Sequence, residues 1–198
     1  MSIIRAFIAV NISSDIQRRL GSILKDLRRD LKGAPVRWVP VENIHLTLKF
    51  LGDVSTSNLE VLKNILQVEA SGQSPFEMTA GELGAFPSNY RPRVIWVSIH
   101  APAGLAALQY GIDNQTARLG YAREDRPFSP HLTLGRVSRH ANSSDLHRIG
   151  EVLTSYKTGV IGAARVTAVY LYRSDLNPSG AVYTNLFSAS FNPQGETG

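Results

Sequence analysis

The tetrapeptide His-Leu-Thr-Leu stands at 45–48 and returns at 131–134. Side chains alternate along an extended strand, so His45 and Thr47 fall on one face while Leu46, Leu48 and Phe50 fall on the other. The same parity separates His131 and Thr133 from Leu132 and Leu134. Each strand would anchor itself in a core by its leucines and offer one imidazole and one hydroxyl outward. Paired imidazoles suit a reaction that removes one proton while delivering another. An ordinary pKa of about 6.5 lets one ring be a neutral base and its partner a charged acid near neutrality. In-line displacement at phosphorus has that requirement, with the two catalysts on opposite sides of the phosphate. The threonine hydroxyls can donate hydrogen bonds to its non-bridging oxygens.

Other chemistries lack their residues. Catalytic zinc normally takes three protein ligands, and no His-x-His, Asp-rich or Glu-x-x-His arrangement lies near either histidine. The chain has no cysteine, which removes disulfides, thiolate ligands and a cysteine nucleophile together. It also has no P-loop, dinucleotide fingerprint or Gly-x-Ser-x-Gly elbow. His100, His140 and His147 read as surface or loop residues. The expectation is a site with neither metal nor cofactor.

The elements that must position the two motifs follow from periodicity. Ile3 to Val10 reads as a strand, and Ser13-Ser14-Asp15 offers N-caps for a helix to about Leu31 with the apolar stripe Ile16, Leu20, Ile23, Leu24 and Leu27. A loop containing Gly33 and Pro35 leads to a strand from His45 to Leu51, and Ser55 and Ser57 open a helix through Val68. Strands follow at Phe76–Leu83 and Val94–Ile99. The second half repeats the order. A helix after Pro102 carries Leu105, Leu108, Ile112 and Leu119, then come a strand His131–Val137, a helix near Asp145–Leu153, and strands around Val160–Tyr172 and Ala181–Ala189. This alternation predicts an α+β fold. It is bilobal, with two pseudo-symmetric lobes of mostly antiparallel sheet with helices and a central active-site cleft. Residues 1–198 form one domain, the last few a loose tail.

Apolar residues are 43% and charged residues 19% of the 198, which disfavours disordered, collagen-like and membrane classes. The run Ile3 to Ile12 is too short to span a bilayer and contains Arg5 and Asn11. A monomer in the cytoplasm is expected. The formal net charge of +5 favours an anionic partner, although no Lys/Arg run marks a dedicated stripe.

The segments Arg37-Trp38-Val39-Pro40-Val41-Glu42-Asn43-Ile44-His45-Leu46-Thr47-Leu48-Lys49-Phe50-Leu51-Gly52 and Arg126-Pro127-Phe128-Ser129-Pro130-His131-Leu132-Thr133-Leu134-Gly135-Arg136 closely resemble the paired blocks of RNA 2',3'-cyclic phosphodiesterases. This bacterial 2'-5' RNA ligase-like family belongs to the two-histidine phosphoesterases. The resemblance extends to Arg5–Val10, to Gly84–Pro87 with Pro92–Trp96, and to Ser174–Gly180 before Tyr183. It implies opening of a 2',3'-cyclic phosphate to a 2'-phosphomonoester without metal, on RNA ends or nucleotides that carry one. His45 then matches the proton donor to the departing 3' oxygen and His131 the acceptor that activates water. Thr47 and Thr133 match the phosphate-holding hydroxyls.

Arg136 matches a substrate-contacting arginine of some relatives. In an unbroken strand, however, it shares the parity of Leu132 and Leu134, so a bulge at Gly135 or a strand end is needed to re-aim it. Phe7 is a candidate to stack on a base at the cleft mouth, against its alternative as core packing. Two other readings use the same residues: a reversible 2'-5' RNA ligase, in which an RNA 5'-hydroxyl replaces water, and an RNA-binding module without turnover.

Overall fold

The computed structural model describes residues 2–178 and 180–193. Its elements run β1 (Ile3–Val10), α1 (Ser14–Asp30), β2 (Val36–Trp38), β3 (Leu46–Ser55), α2 (Leu59–Ser71), β4 (Phe76–Phe86), β5 (Val94–His100), α3 (Ala103–Ala117), β6 (His131–Val137), α4 (Ser143–Ser155), β7 (Gly162–Val166), β8 (Ala168–Asn177) and β9 (Gly180–Ser190). The expected C-terminal tail and Ser179 of the Ser174–Gly180 segment lie outside the described residues.

All strand pairs are antiparallel, in the order β7-β4-β5-β6-β3-β1-β8-β9, with the short β2 added beside β6. Two four-stranded halves meet where β3 touches β6, and the one paired position there is Leu46 with Leu132. Both are the second residues of the repeated tetrapeptide. The seam between the lobes therefore runs through the motifs.

Helices cover one face of this sheet. Ser13 caps α1 by accepting from the Ile16 amide, and an Asn142–Asp145 capping box opens α4. Such side-chain caps satisfy amide groups that have no partner within the helix. The α1 stripe Ile16, Leu20, Ile23, Leu24 and Leu27 is buried. It shares one core with Ala6, Ile8 and Val10 of β1, Leu46 and Leu48 of β3, and Leu132 and Leu134 of β6.

The lobes are not the two halves of the sequence. The first lobe is β3-β1-β8-β9, built from both ends of the chain, and the second is β7-β4-β5-β6 from its middle. The helices cross between them. α1 packs on β7, and the Tyr156 hydroxyl beside α4 donates to Asp26 at 3.1 Å. α3 instead packs on α2 and β3 of the other lobe. The stretch expected as one strand around Val160–Tyr172 is two strands in different lobes, parted at Thr167. β2 falls where the sequence suggested only a loop.

Candidate active site

The Leu46–Leu132 pair fixes the geometry of the site. In antiparallel register around that pair, His45 lies across from Thr133 and Thr47 across from His131. Both leucines point into the core and both His-Thr sets onto the opposite face, each histidine beside the other strand's threonine. A local twofold thus brings together the four residues that the alternation predicted.

Beyond each threonine the alternation breaks at the same place. Ala9 pairs with Thr47 and Ile8 with Lys49, which leaves Leu48 unpaired. Trp96 pairs with Thr133 and Ile95 with Gly135, which leaves Leu134 unpaired. Each is a one-residue bulge that reverses the parity of everything after it. Phe50 therefore faces the cleft, 55% exposed, and the sequence-based placement of its ring on the leucine side is corrected. By the same shift Arg136 turns to the cleft face, with the bulge at Leu134 rather than Gly135.

Both imidazoles are held alike. Nδ1 of His45 lies 2.8 Å from the Asn43 carbonyl and Nδ1 of His131 lies 2.7 Å from the Ser129 carbonyl. A carbonyl only accepts, so Nδ1 carries the hydrogen in each case. Nε2 is left for chemistry on both rings. The side chain of Asn43 also donates to the Ala181 carbonyl at 2.8 Å, tying the β8–β9 hairpin to the turn that orients His45. These carbonyl anchors were missed in the sequence. The signal was their shared offset, two residues before each histidine.

Phe7 does not line the cleft mouth. It is 2% exposed and its ring stacks on His45, with centroids 4.6 Å apart and planes 21° apart. Tyr172 stacks on it from 5.4 Å and Tyr183 meets it edge-on at 4.9 Å. The base-stacking role is therefore corrected to a packing one. β1 is covered on this face too, and Phe7 forms part of the floor against which the imidazole rests.

Burial pushes the His45 pKa down to about 4, against the opposing effect of the Asn43 carbonyl. His131 is also lowered, by burial first and by the nearby Arg136 charge, while the Ser129 carbonyl works the other way. In the free protein both rings therefore favour the neutral form.

Two adjoining hollows, of about 260 and 380 Å³, share Thr47, Phe50, Thr133 and Arg136 as lining. His45 opens on the first with Arg37 and Tyr183, and His131 on the second with Phe86, Arg126 and Phe128. His100 and His140 are exposed and line neither hollow, and His147 pairs with Glu151 at 3.2 Å. Among the described residues no three His, Cys, Asp or Glu side chains gather as a metal-ligand set, and no helix is long and apolar enough to cross a membrane.

A family model described as LigT like Phosphoesterase matches the chain twice, over residues 10–96 and 97–183. Each stretch holds one His-Leu-Thr-Leu. The chain is 33% identical over 183 residues to an RNA 2',3'-cyclic phosphodiesterase of Methanothermobacter thermautotrophicus, covering 92% of this chain and 96% of that protein. It is 30% identical over 183 residues to the protein of the same name from Escherichia coli K12, covering 92% and 93%. Among solved structures, E. coli LigT complexed with 3'-AMP superposes with a TM-score of 0.76 at 26% identity, over 96% of this chain and 99% of that one. The TT0787 protein of Thermus thermophilus gives 0.78 at 26% identity over the same shares.

Proposed function

Since the chain belongs to the LigT like phosphoesterase family, we propose that it is an RNA 2',3'-cyclic phosphodiesterase acting by two-histidine acid-base catalysis without metal. The observation that carries this reading is the antiparallel junction at Leu46–Leu132, which turns both Nε2 atoms and both threonine hydroxyls to one cleft. Water attacks phosphorus and gives its proton to His131 Nε2. The bond from phosphorus to the 3' oxygen breaks, and His45 Nε2 delivers a proton to that oxygen. The phosphate stays on the 2' oxygen. Thr47 and Thr133 donate to the non-bridging oxygens as charge builds on them.

The test is incubation with an oligonucleotide ending in a 2',3'-cyclic phosphate, in the presence of excess chelator, with 2'-phosphate, 3'-phosphate and joined products resolved. Undiminished formation of the 2'-phosphate is expected. Loss on chelation with recovery on added zinc or manganese would remove the metal-free mechanism. Joining to a 5'-hydroxyl is the second reading. The hollow beside His131, lined by Phe86, Arg126 and Phe128, has room for a ribose as well as for water, which is the observation behind it.

Thr47→Val and Thr133→Val should each lower kcat by about 10²-fold, the usual effect of deleting one preorganised donor to a developing oxyanion. Unchanged turnover of both variants at saturating substrate would make the hydroxyls bystanders.

The lowered histidines also set a pH dependence. The donor must be protonated, so activity falls as pH rises through its pKa. An anionic phosphate in the cleft raises that pKa again. The alkaline limb of kcat/KM, which reports the free protein, should therefore lie below about 6.5, and that of kcat should lie higher. Both limbs belong to the coupled pair. Coincident limbs would show that substrate charge does not load the donor.

A further inference from the structure

The local twofold at Leu46–Leu132 treats the two histidines alike down to their carbonyl anchors. The rings beside them are not alike. Phe7 and His45 lie 21° apart in plane, with centroids at 4.6 Å. Two nearly parallel rings that close must overlap face to face, because edge-to-edge contact would hold their centres further apart. Tyr172 and Tyr183 wall in this contact, at 5.4 and 4.9 Å from the Phe7 ring. His131 has no such partner. Phe86 stands nearly perpendicular to it, at 85°, and Trp96 is tilted by 57° with centroids 6.5 Å apart.

The face of a benzene ring carries the negative part of its quadrupole, so a cation over it is attracted, most strongly where water is excluded. Phe7 is 2% exposed, so water does not weaken the effect. A protonated His45 gains that attraction and a neutral one does not. Burial works the other way and drives the ring towards its neutral form. An aliphatic side chain in place of Phe7 would bury His45 as well, but only an aromatic ring offsets the cost of its charge. The charged groups around His45 leave the matter open. Arg37 and Arg136 share its hollow, and Glu42 with the Tyr172 and Tyr183 phenols shares a further one of about 250 Å³. Arg5, on the strand of Phe7, acts on Tyr183, and Lys49 on the strand after His45 is paired with Asp113. The His45 pKa answers to none of them.

We propose that Phe7 is a positioning residue for the reaction, its ring face holding the proton on His45 and so setting His45 rather than His131 as the donor. This deepens, and rests on, the reading of the cleft as a cyclic phosphodiesterase site. The device acts from β1, outside both repeated tetrapeptides, which is how two motifs of identical sequence can take opposite roles.

The experiment replaces Phe7 by mono- and trifluorinated phenylalanine, which keep the shape of the ring and progressively cancel its quadrupole, and by leucine, which has none. The histidine carbons are titrated by NMR in saturating inorganic phosphate, with each ring assigned by its absence in His45→Ala or His131→Ala. The His45 midpoint should fall by about one pH unit with the trifluorinated ring and with Phe7→Leu, and by less with the monofluorinated ring. The His131 midpoint should stay in place. On a dinucleotide ending in a 2',3'-cyclic phosphate, the alkaline limb of kcat should move to lower pH by the same amount, so turnover beyond the limb falls by about 10-fold.

A His45 midpoint unmoved by fluorination, or an equal fall at both histidines, would overturn the proposal. Loss of turnover in Phe7→Leu with no response to fluorination would likewise overturn it, since the ring would then serve only as packing. If the wild-type protein opened no cyclic phosphate at all, the functional reading would fall. The phosphate titration needs no turnover, and it would still decide whether Phe7 holds the proton on His45.

Discussion

His45→Ala and His131→Ala should each lose about 10²- to 10⁴-fold in turnover of the cyclic phosphate, the range expected when one proton transfer is removed from the transition state. The two variants should then part company when the leaving group changes. A ribose alkoxide is a poor leaving group and needs its proton as the bond breaks, whereas a nitrophenoxide leaves without one. Replacing the ribose leaving group with nitrophenoxide should therefore rescue His45→Ala strongly and His131→Ala little. The local twofold at Leu46–Leu132 would by itself permit either direction. Burial lowers both rings and so does not choose between them; the direction follows the likeness of the two blocks to the family's. Selective rescue of His131→Ala would reverse the assignment. Equal rescue would mean that neither ring has a fixed role.

Lys49→Met and Asp113→Asn should each cost about 3–5 kcal/mol of stability, because each strands a buried charge or its hydrogen-bonding group without a partner. Lys49 Nζ lies 2.5 Å from Asp113 Oδ1, with side chains 1% and 8% exposed. Lys49 also donates to the Ala122 carbonyl, and the Glu124 amide and Arg123 Nε donate to Asp113 at 3.4 and 3.5 Å. The bulge at Leu48 is what turns Lys49 inward. The pair pins α3 to β3 and holds the start of the loop that leads to Ser129, the carbonyl anchor of His131.

Burial pushes the Asp113 pKa up, but Lys49, the Glu124 amide and Arg123 outweigh it and hold the carboxyl below its ordinary value. Its contribution is therefore full above the ordinary carboxylate range and fades as pH falls through the depressed folded value. Urea unfolding at neutral and strongly acidic pH checks both statements. The gap between wild type and Asp113→Asn should narrow in acid, and variants as stable as wild type at neutral pH would contradict the assignment.

What the sequence made legible was whatever depends on local period. The alternation of His45-Leu46-Thr47 and His131-Leu132-Thr133 predicted which side chains share a face, and the α1 stripe fell in the core as read. The failures begin one residue later. Nothing in Leu48 or Leu134 distinguishes a bulged leucine from a paired one, since the bulge is set by the partner strands β1 and β5. Parity arithmetic therefore misplaced Phe50 and left Arg136 unresolved. Phe7 has an aromatic side chain suited to a base or to a core, and only Tyr172, Tyr183 and His45 around it decide for packing. Lys49 and Asp113 are 64 residues apart and carry no shared pattern. The carbonyls of Asn43 and Ser129 are backbone atoms, for which residue type is a weak guide.

The first lobe's sheet also sets a clock on the protein's own manufacture. β1 leaves the ribosome first, yet one of its edges is claimed by β8, residues 168–177, which emerges nearly last. His45 rests on Phe7, Tyr172 and Tyr183, so the floor beneath that ring cannot assemble until the final strands arrive. A nascent chain halted before residue 168 has both His-Leu-Thr-Leu segments but, of that floor, Phe7 alone. Ordering such distant strands is slow compared with forming local helices, so competence should come as one late event, after β8 and β9 have emerged. The cell thereby receives no half-built phosphodiesterase from an unfinished chain.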